Sequence, residues 1–192
     1  MEQLLQLDRS LFKLLNSQWH NAFFDAVFPY LRIAEFWGPL YLFLIIFSVR
    51  NFGYKGWLWV LFLLLTVTLT DMVSSRLIKE NITRLRPCNN PLYADWIRVL
   101  VAYRPQSSSF TSSHAANHFG VAMFVFATYS KVFKKWPALF FVWALLICYA
   151  QVYVGVHYPL DIAGGTVVGC LTGYITASFF NRKFQLKPHY TL

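Results

Sequence analysis

Three short polar clusters carry the side chains in this sequence that could do chemistry: Lys79-x6-Arg86-Pro87, Ser112-Ser113-His114 and His157-x3-Asp161. They supply two fixed cations, a hydroxyl pair beside a histidine, and a histidine with a carboxylate four residues on. A phosphoryl group spreads negative charge over several oxygens. A protein that handles it without metal must offer cations and hydrogen-bond donors instead. Lys79 and Arg86 are close to two helical turns apart, so both could face one pocket, and Pro87 ends any helix there. Two serines before an apolar run could cap a helix and also donate to phosphate oxygens. If His157 to Asp161 is helical, Asp161 can accept from one imidazole nitrogen and leave the other free to attack. Each cluster also has a plain structural reading: snorkelling cations, an ordinary N-cap, a His–Asp pair at a helix end.

The elements that must position these clusters are apolar. The chain has 192 residues, 57% hydrophobic and 13% charged, and this predicts an all-α integral membrane bundle rather than a soluble domain. Leu4, Leu7, Leu11 and Leu15 recur at helical spacing among charges, which predicts an amphipathic helix on the membrane surface, too polar to span. Residues 1–32 form an interfacial segment, 33–181 the membrane domain and 182–192 a basic cytoplasmic tail. Five spans are expected, at roughly 33–49, 56–75, 115–130, 136–155 and 162–180, or six if 10–32 also crosses. Gly164, Gly165, Gly169 and Gly173 in the last run permit close helix packing. Trp19, Trp37, Trp57, Trp59 and Trp136 suit an aromatic belt. No cleavable signal segment is expected at the start.

A serpentine path through these spans puts Lys79, His114 and His157 on one membrane face. The opposite loops hold Arg50, Lys55, Lys131, Lys134, Lys135, Arg182, Lys183 and Lys187, eight cations and no acid. The motif side, from Lys79 to Arg104, holds five cations and two acids. The positive-inside rule therefore turns the motif face outward, to the exterior or periplasmic side of a bacterial inner membrane. The net charge of +9 lies in separate loops, which points to anionic lipid rather than nucleic acid. Cys88, Cys148 and Cys170 give no disulfide framework. His114 and His118 have a zinc-like spacing without the metalloprotease glutamate, so no metal or cofactor is expected. Asp71, costly in lipid, is expected to pair with Ser75, Arg76 or a neighbouring helix.

Taken together, the clusters resemble the type-2 phosphatidic acid phosphatases, which share their site with vanadium-dependent haloperoxidases. The family pattern is Lys-x6-Arg-Pro, Pro-Ser-Gly-His and Ser-Arg-x5-His-x3-Asp. Here it reads Lys79 to Pro87, then Thr111-Ser112-Ser113-His114, then Ala150-Gln151-x5-His157-x3-Asp161. The resemblance covers about 71–173. It implies that His157 attacks phosphorus, Asp161 orients it, and His114 protonates the leaving oxygen and then activates water. Lys79, Arg86, Ser112 and the Ser113 backbone N–H would hold the phosphate oxygens, with Gln151 at the remaining position and no metal.

The resemblance also implies a lipid phosphate substrate, with a polyprenyl diphosphate of the cell-wall carrier (undecaprenyl) type as the first expectation. Phosphatidylglycerophosphate, phosphatidic acid and lipid A phosphates are the alternatives. Gln151 stands where the family has arginine, a neutral amide for a bidentate cation. Either another cation such as Arg84, Arg98 or Arg104 takes the place, or the protein is slow, selective, or a lipid-phosphate binding or transport protein on the same scaffold.

Overall fold

The computed structural model describes residues 2–186; Met1 and residues 187–192, the last part of the expected basic tail, lie outside the described residues. Among the described residues, seven α-helices run in chain order: α1 (Glu2–Lys13), α2 (Ala22–Leu31), α3 (Gly38–Phe52), α4 (Tyr54–Asp71), α5 (Ser113–Phe133), α6 (Leu139–Tyr153) and α7 (Pro159–Lys183). A π-helical stretch, Met72–Ile78, extends α4. No strand occurs among the described residues.

Among the described residues, three segments are long and apolar enough to cross a membrane: Tyr54–Ile78, Trp136–Tyr153 and Pro159–Lys183. A fourth is the bent pair of α2 and α3, which meet at 83°. The count from length and composition is thus three or four where five were expected. The missing one is α5. Its 21 residues suffice in length, about 31 Å at 1.5 Å per residue. Its composition is less apolar because it is the central helix, packed against α4, α6 and α7, so protein rather than lipid covers its polar groups. The lipid-type surface lies on the outer helices, where Leu42, Leu61, Leu64, Leu145, Leu171 and Phe179 are exposed.

The α5–α7 seam is where small residues matter. A Cβ at Gly165 would lie 2.4 Å from the Ser112 carbonyl oxygen, at Gly169 2.3 Å from that of Ala116, and at Gly173 2.4 Å from that of Gly120. One glycine stripe therefore lets α7 lie backbone to backbone on α5, as the spacing predicts. That contact fixes Ser112 and His114 against the start of α7.

Two expected surface features turn inward. On α1, Leu4, Leu7 and Leu11 are exposed, but the adjacent stripe buries Asp8 and Phe12 against the bundle. Just beyond α1, Asn16 is fully buried; its Nδ2 donates to the carbonyls of Arg98 (2.8 Å) and Tyr153 (2.7 Å). The N-terminal segment is therefore both interfacial in pattern and a lid over the site end of the bundle. Trp59 is also no belt residue: it is buried, stacks on Tyr129 and donates from Nε1 to Thr128. Trp37 braces the α2–α3 elbow, donating from Nε1 to the Leu31 carbonyl at 2.8 Å and packing on Trp143 of α6. Trp19, Trp57 and Trp136 stay exposed, in keeping with a belt.

Candidate active site

The three clusters converge at one end of the bundle, as the serpentine path predicts, although the local geometry differs from the helical repeat assumed for two of them. The helix before Lys79 ends at Ile78, and residues 83–86 are irregular. Lys79 and Arg86 therefore meet through a folded loop, not through two turns of one helix. His157 likewise precedes α7. Asp161 sits three residues after the Tyr158 N-cap and accepts from the Tyr158 backbone N–H at 2.8 Å, half of a capping box. Gly155, at φ +88°, makes the turn that drops the chain from α6 into this loop.

The tautomer of His157 follows from its neighbours. Its Nε2 lies 3.0 Å from a terminal nitrogen of Arg86. A guanidinium can only donate, so Nε2 must accept and the ring proton must sit on Nδ1. Nδ1 faces Asp161 Oδ2 at 3.5 Å. This is longer than a made N–H···O bond and leaves Nδ1 short of a partner, a gap that a small ring shift would close. His157 is 2% exposed. Burial pushes its imidazole down to about 4, against the opposing pull of Asp161. At neutral pH it presents an uncharged, lone-pair-bearing Nε2.

Asp161 is held by more partners than its motif names. Arg84 donates to Oδ1 at 2.6 Å, and the buried Ser109 hydroxyl donates to Oδ2. Arg84 also pairs with the buried Asp8 and lies over the Tyr158 ring, 4.1 Å from its centroid. Asp8 in turn accepts from the Leu160 backbone N–H at 2.8 Å. Sequence reasoning missed Asp8 and Ser109. The one signal was Asp8 itself, an acid four residues before Phe12, on the same helix face.

Arg86 is 5% exposed and fixed by the 107–108 loop. Its Nε donates to the Ser107 carbonyl (2.9 Å), and its terminal nitrogens reach the Ser107 hydroxyl and the Val156 and Ser108 carbonyls. Lys79 donates to the Ser113 hydroxyl at 2.6 Å. Burial and the nearby Arg86 charge push its ammonium down to about 8. The Ser113 hydroxyl points back to Ser74 and Ser75 at 3.1 and 3.0 Å, so its side chain serves the α4–α5 contact. The Ser112 hydroxyl is fully buried and caps α5, accepting from the Ala115 N–H. Its own hydrogen stays available, as do the first backbone N–H groups of α5. His114 shares the charge environment of Lys79 and His157. His118 turns away: its Nδ1 meets the His114 carbonyl at 2.8 Å and its ring packs on Trp143. Asp71 accepts from Ser75 at 3.1 Å, the expected local pairing.

None of the three cations considered for the Gln151 position occupies it. Arg84 is spent on Asp8 and Asp161, Arg98 pairs with Asp25, and Arg104 donates to the Cys88 carbonyl. The guanidinium beside Gln151 is that of Arg32, whose Nε lies 3.3 Å from Oε1. Arg32 carries no motif; in the sequence it is one charge before an apolar run.

The stretch that holds this arrangement is similar to known proteins. Residues 57–185 match the PAP2 superfamily. The chain is 31% identical over 179 residues to a lipid A 4'-phosphatase of Bacteroides thetaiotaomicron, covering 91% of this chain and 77% of the relative. It is 28% identical over 98 residues, 51% of this chain and 47% of the relative, to the undecaprenyl-diphosphatase BcrC of Bacillus subtilis. The crystal structure of Aquifex aeolicus LpxE superposes with a TM-score of 0.68 at 28% identity, covering 90% of this chain and 95% of that one. The matched stretch contains every member of the three clusters, and the fold sets them around one buried histidine. The chain belongs to the PAP2 superfamily.

Proposed function

We propose that this protein is a membrane lipid phosphatase that works through a phosphohistidine. The observation that carries the reading is the direct contact of Arg86 with His157 Nε2. A cation that can hold a phosphate oxygen and a lone pair that can attack phosphorus meet at one point. In the first step Nε2 bonds to phosphorus as the P–O bond to the lipid breaks, and His114 gives its proton to the leaving oxygen. Asp161 stabilises the charge that develops on the imidazole. In the second step His114 takes a proton from water, the oxygen attacks, the P–N bond breaks and inorganic phosphate leaves. Lys79, Arg86, the Ser112 hydroxyl and the N–H groups at the start of α5 hold the other phosphate oxygens. No metal enters this scheme.

For the substrate, the comparisons favour the alternative over the first expectation. The relative named for lipid A aligns over nearly the whole chain, the one named for undecaprenyl diphosphate over half. The proposed substrate is therefore a phosphate monoester on a lipid A-type glycolipid. The proposed placement is five crossings with α5 counted, the site facing outward from a bacterial inner membrane.

The test is phosphate release by the purified protein in detergent from lipid A, phosphatidylglycerophosphate and undecaprenyl diphosphate, with and without chelator. Fastest release from lipid A, unchanged by chelator and abolished in His157→Ala, is expected. Release from undecaprenyl diphosphate alone would overturn the substrate, a chelator-sensitive rate the metal-free scheme, and full activity in His157→Ala the phosphohistidine.

A further inference from the structure

We infer that Arg32 is the third phosphate-binding cation of this site, supplied from the α2–α3 elbow and aimed by Gln151, where the family pattern has an arginine. The inference rests on the phosphatase reading above and adds a residue that no motif contains.

Four observations carry it. First, the elbow is rigid: the Ile33 N–H bonds to the Tyr30 carbonyl at 2.9 Å, Trp37 hooks the Leu31 carbonyl, and Trp37 is wedged against Trp143. The base of the Arg32 side chain is thus fixed. Second, the head turns inward. An arginine that only snorkelled would keep its guanidinium at the membrane surface. Here Nε reaches the Oε1 of Gln151, a fully buried side chain. Among the described residues its terminal nitrogens take no acceptor, so the paired-donor edge is free for an oxyanion. Third, the Gln151 Nε2 is a buried donor with no acceptor, which an anionic oxygen would satisfy. Fourth, the surroundings are cationic. Arg32 is a charge neighbour of both Arg86 and His114, and Lys79 stands beside Arg86. Asp161, the carboxylate of this site, is already engaged by Arg84 and Ser109. Three cations packed around one histidine repel one another unless an anion sits among them.

The geometry also explains the glutamine. With a cation arriving from the elbow, an arginine at 151 would add a fourth charge in the same place. An amide there accepts from Arg32 through Oε1 and still offers both N–H groups of its Nε2.

The experiment compares the unaltered protein with Arg32→Gln, Arg32→Lys and Arg32→Gln/Gln151→Arg. Two readouts are taken: turnover of lipid A, and protection by orthovanadate, a phosphate mimic, against thermal unfolding. Arg32→Gln is expected to lower kcat/KM by about 10²-fold, as loss of one oxyanion donor does, and to weaken vanadate protection by about tenfold or more. Arg32→Lys should recover part of the loss. The double variant, which returns the cation to α6, should recover more than Arg32→Gln alone. Arg32→Gln within about twofold of the unaltered protein in both readouts would overturn the inference. So would a loss that neither Arg32→Lys nor Gln151→Arg rescues while the melting temperature without vanadate is unchanged. If the unaltered protein turns over no lipid phosphate, the phosphatase reading fails, and vanadate protection still decides on Arg32. Absence of any protection of the unaltered protein would overturn it too.

Discussion

At the scale of the residue, the site is a balance of burial against charge. Burial lowers both His157 and Lys79, with opposite consequences. His157, at about 4, is uncharged and nucleophilic across the neutral range. Lys79, at about 8, is charged at neutral pH but loses its proton just above it. A lowered lysine is cationic below its folded value and neutral above it, so one charge of the proposed phosphate clamp disappears as pH rises through about 8. In the free enzyme, kcat/KM should therefore fall above pH of about 8. Lys79→Arg tests the cause, because a guanidinium stays charged over this range. The variant's alkaline limb should move up by about one unit or more, whatever its absolute rate; coincident limbs would assign the fall to another group. Bound phosphate should move the limb in the same direction, since an anion favours the ammonium.

At the scale of the element, the geometry of the proposed catalytic site depends on how closely α7 lies on α5. Ser112 is pinned from two sides: its N–H bonds to the Asp161 carbonyl at 3.0 Å, and its own carbonyl sits where a Cβ on Gly165 would go. That neighbour is backbone and cannot rotate away. Gly165→Ala should push the helices apart at the phosphate-binding end, destabilising the protein by ~1–3 kcal/mol as overpacking does, with at least a tenfold loss of kcat. Gly38, with nothing within 4 Å of a Cβ, is the control, and Gly38→Ala should stay within ~0.5 kcal/mol. Equal melting temperatures for the two variants would show that the seam tolerates a methyl group. This seam was legible in the sequence because glycines every three or four residues have one common use in a membrane helix. The three clusters and six of the seven helices were legible for similar reasons of period and spacing. Arg32 was not. Its proposed role depends on an 83° bend that no apolar pattern encodes, and on Gln151, a residue 119 positions away, at the other end of its hydrogen bond. The count by length and composition falls short of the five expected crossings for a related cause: a helix surrounded by other helices does not have to look like one that meets lipid. Asp8 and Ser109 escaped because their partners, Arg84 and Asp161, belong to distant segments.

At the scale of the whole molecule, the proposed orientation rests on a charge asymmetry between the two ends of the bundle. Counted by sequence, the motif side is merely less basic than the other. Counted by structure, its cations are mostly committed: Arg84 to two carboxylates, Arg98 to Asp25, Arg86 and Lys79 to the site. On α1, which packs at this end, Asp8 is the acid that holds Arg84, and Glu2 is the one other acid beside Arg9 and Lys13. On the opposite side, Arg50, Lys131, Lys134, Lys135 and Lys183 form no ion pair with an acid among the described residues. Eight cations and no acid in the loops away from the site, against five cations and two acids from Lys79 to Arg104, are the bias that governs insertion. The site should face the exterior, and a single added cysteine can report it. Leu92 is the position to use, since it lies in the motif-side loop and is 80% exposed, whereas Tyr93 beside it is buried. The native cysteines give a low background: Cys88 and Cys148 are buried, and Cys170 lies within α7. In intact cells, or spheroplasts where an outer membrane is present, Leu92→Cys should react with a membrane-impermeant maleimide as fully as in lysed cells. A cysteine at Lys134, in the opposite loop, should react only after lysis. The reverse pattern would place the site in the cytoplasm and direct it to lipids of the inner leaflet.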